Sequence, residues 1–199
     1  NMYRLFIALG IVIIILMFLL PVIFLSPDKD SGGSKKEGNL AADLSGEWKF
    51  SIGDNMKWSS PDYTDSNWES IKVPSKWENE GFYGYDGYAW YRKSFDGEYL
   101  KNKNWTYTLF LGYIDDVDEV FFNGHKIGQS GAFPPRYYTA YNAFRQYFIP
   151  GELINFNGKN VISVRVFDAG IEGGITSGDV GIYVNKSDMD LEVNLRGVW

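Results

Sequence analysis

Cysteine is absent from the 199 residues and histidine occurs once. Without a thiol there is no disulfide, no thiolate metal site, no cysteine nucleophile and no lipidated cysteine. A secreted eukaryotic domain is often stapled by disulfides, so their lack leans towards a bacterial envelope protein. Positive charge is also short: 19 Lys and Arg stand against 25 Asp and Glu, a net charge of −6. Nucleic-acid binding rests on a basic footprint and a grip on anionic lipid rests on a polybasic patch, so both partners are disfavoured. Beyond residue 44 no stretch carries a long amphipathic helical pattern. What is present is aromatic surface and glycine, with seven Trp, fourteen Tyr, fourteen Phe and 22 Gly. That mixture favours strands joined by tight turns.

One long apolar run exists. Residues 5–25, LFIALGIVIIILMFLLPVIFL, carry no charge over 21 positions. At about 1.5 Å per residue the run reaches roughly 30 Å, enough to cross a bilayer core. A cleaved signal peptide would have a shorter apolar region and a small-x-small site, whereas SPDKD follows here. The expectation is therefore a retained single-pass anchor over residues 1–25. Arg4 is the charge that precedes the run and weakly places the N-terminus in the cytoplasm. Residues 26–43 are rich in Gly, Ser and Lys and read as a flexible tether. Residues 44–199 then form one folded domain, expected on the periplasmic or extracytoplasmic side of a bacterial inner membrane.

Within that domain, short alternating runs are broken by turn residues. EWKFSI puts Trp48, Phe50 and Ile52 on one face, and WTYTLFLG does the same with Trp105, Tyr107, Leu109 and Leu111. NVISVRVFD alternates Ile162, Val164 and Val166 against Ser163 and Arg165, while DVGIYV and DLEVNL read as closing strands. Period-two alternation marks strands buried on one face. Two sheets stacked face to face cover such faces, so the fold expected is an all-β sandwich behind a single transmembrane helix.

The densest cluster of chemistry-bearing residues is IDDVDEVFFNGHKIGQ, residues 114–129. Asn123-Gly124 is a strong signal for a type I′ hairpin, which needs positive φ at both central positions, and it leaves His125 beside the turn. The acids do not make an EF-hand, since Val120 occupies the third ligand position. GQSGA, residues 128–132, lacks the last Gly of a nucleophile elbow. Alternate acids on a strand diverge to opposite faces, so those of residues 115–119 are not expected to converge on a substrate. No catalytic residue and no metal ligand is assigned.

The ordered phrases LSGEWKF, DSNWESIKVPSKWE, YAWYRKSF, VFFNGHKIGQSGAF, GKNVISVRVFD and GGITSGDVGIY carry a resemblance. They resemble the N-terminal sugar-binding jelly-roll, or galactose-binding-like, domain of family-two glycoside hydrolases. GYIDDVDEVFFNG, with RQYFIPGELINFNGKNVISVRVFDAGIEGG, is more similar still to the sandwich within bacterial sialate O-acetylesterases. The resemblance covers about residues 44–184. It implies a jelly roll in which Trp68 and Trp77 plug the sandwich and Pro74 ends an edge strand. It also implies that hydrolysis belongs to a separate barrel or esterase domain, so that this domain is not itself an enzyme unless the chain is a fragment of a longer hydrolase.

Sugar sites use flat aromatics against C–H faces and forked polar groups on hydroxyls. Three loops offer both. WENEGFYGYDGYAWYR supplies Trp77, Tyr83, Tyr85, Asp86 and Tyr88; GAFPPRYYTAYNAFRQY supplies Arg136 and Tyr138; FDAGIEGGITSGD supplies Asp168 and Glu172. By resemblance, Asp86 and Asp168 best match positions that lend polar side chains to a neighbouring active site. Against this stands packing: loop tyrosines often fill their own loop, and acids often bind backbone or a structural cation such as calcium. Arg145 and Arg165 are expected to be paired within the fold. The function these features support is membrane-anchored, non-catalytic glycan binding without a cofactor. The alternatives are a structural or protein-interaction subunit of an envelope complex and, with less support, a piece of an esterase or glycosidase.

Overall fold

The computed structural model describes residues 39–100 and 102–185. The expected membrane anchor, most of the tether and the strand expected at DLEVNL lie outside those residues. Among the described residues, no helix is long and apolar enough to cross a membrane.

Ten strands follow one another: β1 (Asn39–Asp43), β2 (Gly46–Ile52), β3 (Glu69–Val73), β4 (Gly87–Asp96), β5 (Thr106–Asp115), β6 (Val117–Phe122), β7 (His125–Ser130), β8 (Phe144–Ile149), β9 (Lys159–Asp168) and β10 (Gly174–Asn185). They form a four-stranded sheet, β1-β10-β5-β8, and a six-stranded sheet, β3-β2-β4-β9-β6-β7. Every pairing is antiparallel. The sheets stack as the alternation predicts. Trp48 and Phe50, Tyr107, Leu109 and Leu111, and Ile162, Val164 and Val166 all lie in the core. Each such side chain contributes about 1.5–3 kcal/mol through burial. β3 lies at a sheet edge and ends at Val73, immediately before Pro74. Asn123 and Gly124 turn the β6–β7 hairpin at φ 48° and 83°, as the Asn-Gly pair requires.

Four readings need correcting. Residues 39–43 are not the end of the tether but strand β1, which pairs with β10 and buries Ala42. NLAAD is too short for periodicity to reveal it. Ile52 is exposed, because its pairing with Ala89 lies beyond the last contact of β2 with β3, Phe50 with Glu69. Trp68 does not plug the sandwich. It meets Trp58 edge to face and Tyr63 at a tilt, and Trp58 in turn meets Trp90, which projects from the opposite face of β4 to the core residues Ala89 and Tyr91. Ser163 lies under the same cover rather than in solvent: Arg92 donates to Ser163 Oγ and to the Ser60 carbonyl, and pairs with Asp65 at 2.8 Å. A second sheet face expected to be polar is thus closed by residues 56–68.

The core also holds a charge pair. Asp118 and Arg145 are both 0% exposed and joined at 2.7 Å. Arg145 donates further to the carbonyls of Ala140, Ala143 and Asp116, and Tyr147 donates to the second Asp118 oxygen. Gly128 makes room for this arrangement, since a Cβ there would lie 2.0 Å from the Tyr147 ring.

Candidate ligand-binding rim

Strand register decides which loops meet. Gly87 pairs with Asp168, Val117 with Phe167, and Gly174 with Asp115. The start of β4, the β5–β6 corner, and the end of β9 with the start of β10 therefore share one end of the sandwich. The long connections join them there. Trp77 N donates to the Gly173 carbonyl at 3.1 Å, and Ala140 N donates to the Asp116 carbonyl at 3.0 Å. The Asn123-Gly124 turn and the exposed His125 lie at the far end of the β6–β7 hairpin, away from this rim.

The nine residues singled out in the sequence all fall on or next to this rim, in unlike environments. Tyr83 is 91% exposed and Tyr138 72%, and Asp86 and Arg136 are exposed as well. Glu172 is half-buried and bonded to Lys76 at 2.5 Å. Tyr88 lies partly buried, stacked on Phe133 at 5.8 Å. The other three are structural in their contacts. Trp77 is fully buried against Phe50 and Tyr85, so it offers no face to a ligand. Tyr85 donates its hydroxyl to the Tyr88 carbonyl at 2.6 Å. Asp168 is buried and accepts from Gly170 N at 2.9 Å. Trp77 sits where it does because Gly173 lacks a side chain, and a Cβ there would stand 2.1 Å from the indole.

Residues outside those nine complete the floor, and of these Glu78 was missed in the sequence. Glu78 accepts Gly173 N through both oxygens at 3.2 Å, tying the first loop to the third. Arg165 lies over the rings of both Tyr88 and Phe133, 4.7 and 4.4 Å from their centroids, and pairs with Asp54 at 2.7 Å. Both Arg145 and Arg165 are thus spent within the fold, as expected. Tyr137 packs edge-on to Phe167 at 5.7 Å, and Tyr141 stands exposed further along the same loop.

The acids depart most from expectation. Asp118 and Glu119 diverge as strand geometry requires, one into the core and the other to Lys126 and Arg165. Asp115 and Asp116 do not, because Asp115 ends β5 and Asp116 is the corner before β6, where the alternation of a strand stops. There each brings a carboxylate oxygen within 4.8 Å of the other and of Asp168. Asp116 accepts from Thr139 Oγ1 and from Ala169 N. Burial, then the neighbouring Asp116, pushes Asp115 up to about 7, and burial pushes Asp168 up to about 6. Burial acts on Asp116 in the same sense, but hydrogen bonds from Thr139, Tyr137 and Ala169 N hold it below the usual carboxylate range. Asp116 and Asp168 are buried, and Asp115 is partly so.

This domain has known likenesses. No family model matches the chain. The β-galactosidase BoGH2A of Bacteroides ovatus is 27% identical over 159 residues, which are 72% of this chain and 17% of that protein. The crystal structure of Bacteroides uniformis β-glucuronidase superposes with a TM-score of 0.57 at 23% identity, over 71% of this chain and 17% of that one. A β-glycosidase from Bacteroides vulgatus gives 0.53 at 26% identity, over 71% and 20% respectively. The homologues in sequence and structure are family-two glycoside hydrolases, and a domain of that kind fits this sandwich. The chain spans about a sixth of the length of the curated relative, 17%.

Proposed function

We propose that the sandwich recognises a glycan at the rim and does not hydrolyse it, serving as the accessory β-sandwich of a family-two-type protein held at a bacterial membrane by residues 5–25. The observation that carries this reading is the contrast within the rim. Tyr83, Tyr137, Tyr138 and Tyr141 are exposed on loops whose floor is fixed by Trp77, Glu78, Arg165 and Asp116. Tyrosines on pinned loops offer amphipathic area at little entropic cost, which suits the C–H faces and hydroxyls of a sugar. Support also comes from the relatives, which are a β-galactosidase, a β-glucuronidase and a β-glycosidase. Calorimetry and glycan arrays on the full chain in mild detergent test it. Saturable binding of β-galactosides or β-glucuronides, weakened by Tyr138→Ala, is expected; silence towards every glycan at millimolar concentration would end the proposal. Carbonate extraction of membranes, with and without residues 1–25, tests the anchor.

A second reading has its own observation. Ile171, in the β9–β10 connection of this rim, is 94% exposed, and an aliphatic tip suits a protein surface better than a sugar. In this reading the rim docks a hydrolase domain or another envelope protein. Ile171→Asp separates the two, leaving glycan binding intact while abolishing co-elution with a stoichiometric protein partner in size exclusion.

A further inference from the structure

We propose that Asp115, Asp116 and Asp168 hold a hard divalent cation of calcium's size at the β5–β6 corner. Three carboxylates with oxygens within 4.8 Å of one another match the span of an oxygen shell with ligands at about 2.3–2.6 Å. A cluster of acids alone would not make a site. The second observation is Asp168, which is buried and whose Oδ2 has no hydrogen-bond partner, although Oδ1 is satisfied by Gly170 N. A buried carboxylate oxygen without a donor is costly, and such orphans mark places where a partner is missing. Around Asp168 the other two acids of the cluster offer further acceptors, not donors. A divalent cation would answer all three converging carboxylates at once. Oxygen donors and the absence of thiol and imidazole from the cluster select calcium or magnesium over softer metals. Magnesium prefers a tighter shell at about 2.0–2.1 Å, so calcium is the better fit.

The consequence is mechanical. Asp116 also accepts from Thr139 and Ala169 N, and its carbonyl accepts from Ala140 N. An ion there would clamp the β5–β6 corner, the loop of residues 131–143 and the β9–β10 connection into one unit. This inference does not rest on the glycan reading, and its test uses no sugar.

The test takes the full chain stripped with chelator and exchanged into metal-free buffer. Calcium should bind with one-to-one stoichiometry in calorimetry and raise the melting temperature, with magnesium weaker by about tenfold or more. Terbium(III), an oxygen-seeking ion of similar size, should give emission sensitised by Tyr137, which hydrogen-bonds Asp116, and calcium should displace it. Asp168→Asn and Asp115→Asn should each weaken calcium by at least about tenfold, while the exposed control Asp62→Asn changes nothing. Should either rim variant fail to fold, competition between terbium and calcium on the unaltered chain still decides. No sensitised emission and no calcium-dependent melting would overturn the site and leave a proton shared between Asp115 and Asp116 as the account of the cluster.

Discussion

Asp116 and Asp118 stand two residues apart, and their carboxylates meet opposite fates. Asp118 points into the core and is answered there by Arg145 and Tyr147, every oxygen with a donor. Asp116 points into the rim among two further acids, one of which leaves an oxygen unanswered. The first arrangement is complete within the chain, and a complete buried pair is a device for registering β8 and its loop against β6. The second is incomplete, and incompleteness of this kind belongs to binding sites more than to scaffolds.

Breaking the complete pair should have the largest effect. Arg145→Met strands the Asp118 charge in the core and is expected to lower unfolding free energy by about 3–5 kcal/mol in urea melts. Adding Asp118→Leu to it should recover most of that loss, because the uncompensated charge goes with it. At the rim the sign changes with the medium. In chelated protein Asp168→Asn removes repulsion and is expected to stabilise by about 1 kcal/mol. With calcium in excess the same variant should melt below the unaltered chain, since it forfeits the ligand-linked gain.

Acidity sharpens the contrast further. Asp115 and Asp168 sit at about 7 and about 6 in the folded state. Unfolded aspartate lies near 3.9, so the folded state binds more protons in the interval between. Stability of the chelated protein should therefore fall as pH rises from about 4 to about 7, by the sign of the linkage relation. Asp168→Asn should flatten that slope in melting curves. The smallest effect on stability is expected from the exposed aromatics. Tyr138→Ala and Tyr83→Ala should stay within about 0.5 kcal/mol of the unaltered chain, and any loss they cause should appear in glycan titrations instead.

Much of the scaffold was legible because it is written in short-range pattern. Ile162, Val164 and Val166 alternate, Asn123-Gly124 demands positive φ, and Pro74 cannot continue a ladder. Each is a local constraint that no distant residue can undo. Strand β1 was not legible, since NLAAD becomes a strand through the backbone of β10. The cover over Arg92 was equally hidden, because it depends on residues 56–68 folding back onto a face that reads as polar. Among the rim residues, exposure of Tyr83 and Tyr138 followed from their Gly-rich and Pro-rich loops. Burial of Trp77 depended on the glycine at position 173, about a hundred residues away along the chain.

Sequence by itself determined that this chain makes antiparallel sheets, turns at Asn123-Gly124 and carries its aromatics and acids in three loops, because alternation and turn chemistry act between near neighbours. Only the tertiary structure decided which of those residues meet. Pairing of Gly87 with Asp168 and of Gly174 with Asp115 brings distant strand ends to one rim. Whether a carboxylate finds an arginine, a backbone amide or another carboxylate depends on that register, which no local pattern encodes.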